Sequence, residues 1–167
     1  MIKTFNTLFV TMFGIGKLKP IPGTFGSLAT VIILYFCFHK IEINSNIILL
    51  GLVIIFIYSF SAVTSHTKNN ENKDPGEIVI DEFIGQSIPI YLYEISHGTD
   101  KDTIEALIFY AVSFVLFRYF DIMKPFPVSY FDKKHKNSFG VIMDDVCAGL
   151  YVVLSLVCFM ILKSYIF

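Results

Sequence analysis

Asn46–Thr64 reads NIILLGLVIIFIYSFSAVT, without one charged side chain. A helix over this stretch would be about 28 Å long at ~1.5 Å per residue, close to the ~30 Å hydrocarbon core of a bilayer. Ile104–Phe120 has the same character, with Glu105 at its start and Arg118 near its end, and so does Val146–Leu162, closed by Lys163. Phe25–Phe38 is uncharged but short. Ile78–Tyr93 is ambiguous, with Asp81 and Glu82 near one end and Gly85 and Pro89 inside. It can cross as a bent helix or re-enter from one face. These runs predict an all-α, polytopic membrane protein: one bundle of about four to five membrane-associated helices, a single domain over residues 1–167.

Composition agrees. The chain is 54% hydrophobic and 16% charged, with mean hydropathy +0.66, where soluble domains carry about 25% charged residues. A net charge of −1 gives no reason to expect nucleic acid as a partner. Cys37, Cys147 and Cys158 form no CxxC pair and read as packing thiols. The histidines, His39, His66, His97 and His135, are scattered and read as exposed. Met1–Gly14 is apolar but carries Lys3 and lacks a clear small-residue cleavage site, so it reads as retained structure.

If Ile78–Tyr93 crosses, the connections Thr64–Ile80 and Arg118–Asp145 share a side with the N-terminal segment. That side then carries 10 of the 13 basic residues, leaving Lys40, Lys101 and Lys163 on the other. The positive-inside rule puts the first group in the cytoplasm and the C-terminus outside. The acids sort the same way: Glu71, Asp74, Glu77, Asp81, Glu82, Asp121, Asp132, Asp144 and Asp145 fall at the cytoplasmic face.

Three polar constellations stand there. In Asp74-Pro75-Gly76-Glu77, an Asp cap, a Pro at the first helical position and a Glu three residues after the cap predict a helix start. Glu77 and Asp81 would then share a face, and capping leaves Asp81-Glu82 unexplained. Arg118, Asp121 and Lys124 recur every three residues as one polar stripe that Pro125 and Pro127 end. Snorkelling explains a lone Arg or Lys there, not the Asp between them. Asp144-Asp145 opens an apolar helix, where dipole pairing needs one acid and a divalent ion several. Ala148 and Gly149 would let a neighbouring helix come close.

Clustered carboxylates without a His/Cys set point to Mg²⁺, and Arg118 with Lys124 to a phosphate group. A fourth segment, Gly14–Ser27, is rich in Gly and Pro but is no P-loop, because Thr11 stands where the first Gly is needed. It is either a turn into the first span or an anion site on the amides of Gly23–Ser27. Lys17 and Thr24 are its candidate phosphate contacts.

At this point the chain resembles the phosphatidylglycerophosphatase A family. The resemblance rests on GKLKPIPGTFGSLAT, DPGEIVIDEFIGQ, FRYFDIMKPFP and FGVIMDDVCAGLY, in that order from about Gly14 to Tyr151. It implies Mg²⁺-dependent removal of the terminal phosphate of phosphatidylglycerophosphate, giving phosphatidylglycerol, at the bacterial inner membrane. It also implies an acidic site at Asp74, Glu77, Asp81, Glu82, Asp121, Asp144 and Asp145, with Arg118 and Lys124 on phosphate. Within that site Asp81, Glu82, Asp121 and Asp144 are the catalytic candidates, and Asp74, Glu77, Asp81, Asp144 and Asp145 the metal ligands. The rival readings are a phosphatidyltransferase, whose DGxxAR…GxxxDxxxD pattern is missing, and a divalent-cation transporter or scaffold. Transport would place acids near the bilayer midplane.

Overall fold

A computed structural model describes residues 2–68, 75–97, 103–134 and 137–166. Among these the chain forms seven α-helices and no strand. A short α1 (Ile2–Val10) leads through a 3-10 turn (Ile15–Lys17) to α2 (Pro22–His39) and α3 (Ser45–Thr67). Then come α4 (Ile80–His97), α5 (Thr103–Met123), a short α6 (Val128–Lys134) and α7 (Ser138–Ile166). Four of them, α2, α3, α5 and α7, are long and apolar enough to cross a membrane. Their outer faces carry side chains such as Ile54 and Val115, 59% and 63% exposed, an arrangement stable against lipid and costly against water.

The ambiguous segment is α4, and it is the axis of the bundle. It packs on α2, α3, α5 and α7, and Ile84, Gln86, Ser87 and Ile90 along it are buried. Glu82 at its start lies against Gly23 at the start of α2. Glu94 near its end meets His39 at the end of α2, at 3.0 Å. Two helices in register at both ends run side by side in the same direction, so α4 runs the length of α2. Pro89 lies inside it. A proline donates no hydrogen bond to the carbonyl four residues back, here that of Gly85. Gly149 of α7 packs onto that carbonyl: a methyl on Gly149 would stand 2.3 Å from it. In the reverse direction, a methyl on Gly85 would stand 2.4 Å from the Asp145 carbonyl. The close approach expected of Gly149 therefore occurs against α4, backbone to backbone.

Several local expectations are corrected. No helix starts at Pro75. Pro75 accepts from the Ile78 N–H at 2.9 Å in a turn, and the Val79 N–H goes to the Val10 carbonyl at 2.9 Å. Ile78, Val79 and Ile80 are all buried, so the run docks as an extended plug before α4 begins, and Glu77 shares no helix face with Asp81. Gly16 and Gly26 make room for it, since methyls there would stand 1.9 Å from the Glu77 carbonyl and 2.8 Å from the Val79 Cβ. Likewise α7 starts at Ser138, where the Asn137 side chain accepts from the Gly140 N–H at 3.1 Å. Asp144 and Asp145 are therefore inside the helix, beyond the first turn where its dipole acts. Lys124 is off the end of α5 in a left-handed conformation (φ 44°), which breaks the expected three-residue stripe. His39 and His66 are not exposed: their side chains are 16% and 9% accessible and pair with Glu94 and Glu77.

Candidate active site

The approach of α4 to α7 builds the centre of the site. Asp81 precedes Gly85 by one helical turn, and Asp145 precedes Gly149 by one turn. Residues four apart share a helix face, so parallel helices touching at the two glycines must bring these aspartates together. One oxygen from each of Asp81, Glu82 and Asp145 lies within 4.8 Å of the others. Asp81 and Asp145 are only 7% and 3% exposed. Like charges at that spacing repel by on the order of 3 kcal/mol per pair at an effective dielectric of about 20. Glu82 Oε2 is buried without a hydrogen-bond partner among the described residues. A bound cation offsets such repulsion and satisfies such an oxygen, and an all-carboxylate donor set suits a hard dication. Asp81, Glu82 and Asp145 could therefore hold a metal ion.

Two cations flank the acids, each fixed by the protein. Arg118 Nη2 is 3.0 Å from Asp121 Oδ2 and its Nη1 is 3.9 Å from Glu82 Oε1. Nη1 also donates to Ser27 Oγ at 3.2 Å, and Ser27 in turn donates to the Gly23 carbonyl at 2.9 Å. Lys124 donates to Asp132 at 2.5 Å and to Asp144 at 3.1 Å. Burial works to lower the Lys124 pKa, but its hydrogen bonds to Asp132 and Asp144 and their charges outweigh it. The ammonium is held above the ordinary lysine range.

The carboxylate trio and both cations open onto one cavity of about 450 Å³, whose wall also includes Ile21, Gly23, Thr24 and Ile122. Eight of the expected site residues line it: Thr24, Asp81, Glu82, Arg118, Asp121, Lys124, Asp144 and Asp145. Glu82 joins Asp81 and Asp145 in the trio that could hold a metal ion, whereas Asp144 meets Lys124 at 3.1 Å. Glu77 does not join, because its carboxylate meets His66 Nε2 at 2.9 Å. Lys17 lines an adjoining cavity with Lys19, Pro20 and Glu77, which shares Pro22 and Gly76 with the first. Asp74 lies outside the described residues. Ser27 and Asp132, which fix the two cations, belong to none of the three polar constellations of the sequence. Asp132 carried a faint signal as a lone acid in a basic loop.

The arrangement is a charged pocket at one end of an apolar bundle, with acids to hold a dication and basic groups to hold an anion. The family model for phosphatidylglycerophosphatase A matches residues 8–160. A phosphatidylglycerophosphatase A of Haemophilus influenzae is 36% identical over 147 residues, spanning 88% of this chain and 83% of its own length. That of Escherichia coli is 31% identical over 145 residues, spanning 86% and 76%. No solved structure matches the chain. Pocket, bundle and relatives agree: the chain belongs to the phosphatidylglycerophosphatase A family.

Proposed function

We propose that the protein hydrolyses phosphatidylglycerophosphate to phosphatidylglycerol and inorganic phosphate. The reading includes Mg²⁺ on Asp81, Glu82 and Asp145, and a site on the cytoplasmic face of the bacterial inner membrane. One observation carries it: a carboxylate trio, two of its members buried, and two protein-fixed cations meet in a single cavity at one end of an apolar bundle. The names of the relatives supply the substrate. The basic-residue bias, 10 of 13 on the side of the site, supports the cytoplasmic face.

Arg118 is held by Asp121 and Ser27, and Lys124 by Asp132 and Asp144, before any ligand arrives. Their charges therefore meet the phosphoryl oxygens without reorganisation as negative charge develops there. Asp121 and Asp144 act in this reading through the cations they orient. Gly23 and Thr24 bring the amide end of α2 to the same cavity, a further anion contact. Magnesium bound at the trio supplies Lewis acidity and activation of water. The bond between phosphorus and the ester oxygen breaks, water delivers the new oxygen to phosphorus, and one of that water's protons ends on the departing alkoxide.

The test is release of inorganic phosphate from phosphatidylglycerophosphate in detergent micelles, with Mg²⁺ and with chelator. Release that needs Mg²⁺ and disappears in Asp81→Asn is expected. A transfer product in place of free phosphate would favour the phosphatidyltransferase reading, and no turnover at all would favour transport or a scaffold.

A further inference from the structure

We propose that the acyl half of the phospholipid leaves the cavity sideways into the bilayer, between the start of α2 and the end of α5, across Ile21 and Ile122. The proposal rests on the reading of the cavity as a lipid phosphomonoester site. Charged residues make half of its lining. Three isoleucines interrupt them. Ile78 is 3% exposed and belongs to the floor, whereas Ile21 and Ile122 are 52% and 69% exposed. These two side chains therefore face the charged cavity and the outer surface at once.

The surroundings give the opening its limits. Toward the middle of the bundle α2 and α5 are tied by the Arg118–Ser27 hydrogen bond at 3.2 Å. A methyl on Gly23 would stand 3.3 Å from Arg118 Nη2, so the guanidinium fills the space beside the start of α2. On another side the backbones of α4 and α7 meet at Gly85 and Gly149. Lys124, bonded to Asp132 and Asp144, joins the end of α5 to α6 and α7. The segment before α4 is sealed against α1 through the Val79–Val10 hydrogen bond. Beside Ile122 in α5, Met123 is 62% exposed, and one turn inward Tyr119 is 55% exposed. A small soluble phosphate ester has nothing to offer this apolar margin. An amphiphile with a charged head and hydrocarbon tails matches both surfaces, so the occupant is a phospholipid's acyl and glycerol portion.

The experiment compares dioleoyl phosphatidylglycerophosphate in mixed micelles with its deacylated, water-soluble counterpart, glycerophosphoglycerophosphate. Both carry the same two phosphates. Ile122→Asn and Ile21→Asn are each expected to lower kcat/KM for the lipid by about tenfold, through KM. The ratio of lipid to deacylated turnover should fall with it, and Ile122→Leu should restore it. An equal loss on both substrates, or no loss on the lipid, overturns the proposal. So does a change in oligomeric state with unaltered lipid kinetics, which would make the margin a contact between copies of the chain. If the unaltered protein releases phosphate from neither substrate, the phosphatase reading itself fails; if it does so and the ratio ignores Ile21 and Ile122, only the lateral opening fails.

Discussion

Ser27 does two things with one hydroxyl. It donates to the Gly23 carbonyl, which fixes its rotamer, and so presents a lone pair to Arg118. Ser27→Ala should leave the fold intact and lower kcat by about tenfold, since a hydrogen bond to a charged group contributes ~1.5–3 kcal/mol. Ser27→Thr should restore much of that, and a full rate in the alanine variant would remove Ser27 from the site. Asp145→Asn deletes one of the mutually repelling carboxylates. The metal-free variant should be at least as stable as the parent, but should lose the stabilisation expected from Mg²⁺ in the proposed reading, ~2.7 kcal/mol at 100-fold excess over Kd, read as Tm. Retained Mg²⁺ stabilisation would exclude Asp145 as a ligand. Lys124 has its pKa raised on folding, so the stability linked to its own protonation is full below the ordinary lysine value and is lost as pH rises through the higher folded one. Lys124 therefore stays charged through the neutral and acid range, and an acid limb in the pH–rate profile should be the same in Lys124→Arg as in the parent. At this scale the sequence showed Arg118, Asp121 and Lys124 because charge beside an apolar run is conspicuous. Ser27 was illegible, as its partner lies 91 residues away.

Gly85 and Gly149 set the distance between α4 and α7, and hence whether Asp81 can see Asp145. Gly149→Ala would drive a methyl to 2.3 Å from the Gly85 carbonyl. The helices must part, so stability should fall by about 1–3 kcal/mol and Mg²⁺ affinity with it, read as Tm with and without the ion. Gly51 in α3 is the contrast: nothing lies within 4 Å of a methyl there. Gly51→Ala should stabilise by about 0.5–1 kcal/mol, and an equal loss at both positions would mean that close packing is not the cause. The spans were legible because lipid tolerates few alternatives to long apolar helices. The starts of α4 and α7 were not. Capping residues stand before α4 at Asp74 and Pro75, but the Val10 carbonyl takes the Val79 N–H and Ile78–Ile80 are buried as a plug. Such tertiary claims leave no local trace.

For the whole molecule the question is which end faces which compartment. With the native cysteines replaced, a cysteine at Lys163 should react with an impermeant maleimide in intact spheroplasts, and one at Lys17 only after permeabilisation. The reverse pattern would put the acids outside. The two ends differ in chemistry as well. Far from the site, Glu94 accepts from Tyr110 at 3.1 Å and meets His39 at 3.0 Å, which ties α2, α4 and α5 together. Charge asymmetry made the orientation arguable from sequence, but nothing in the composition showed that α4 would be the axis.

That central position has a consequence for how the protein is made. With Asp81, Glu82 and Glu94 in its sequence, α4 carries acids that insertion machinery charges at up to ~3 kcal/mol each near the middle of a span and less toward the ends. It leaves the ribosome before α5, and α7 with Gly149 comes last. A nascent chain halted ahead of Ser138 should therefore hold α4 loosely, open to protease, and gain protection only when the final helix is released. Biogenesis would then close the molecule from its C-terminal end.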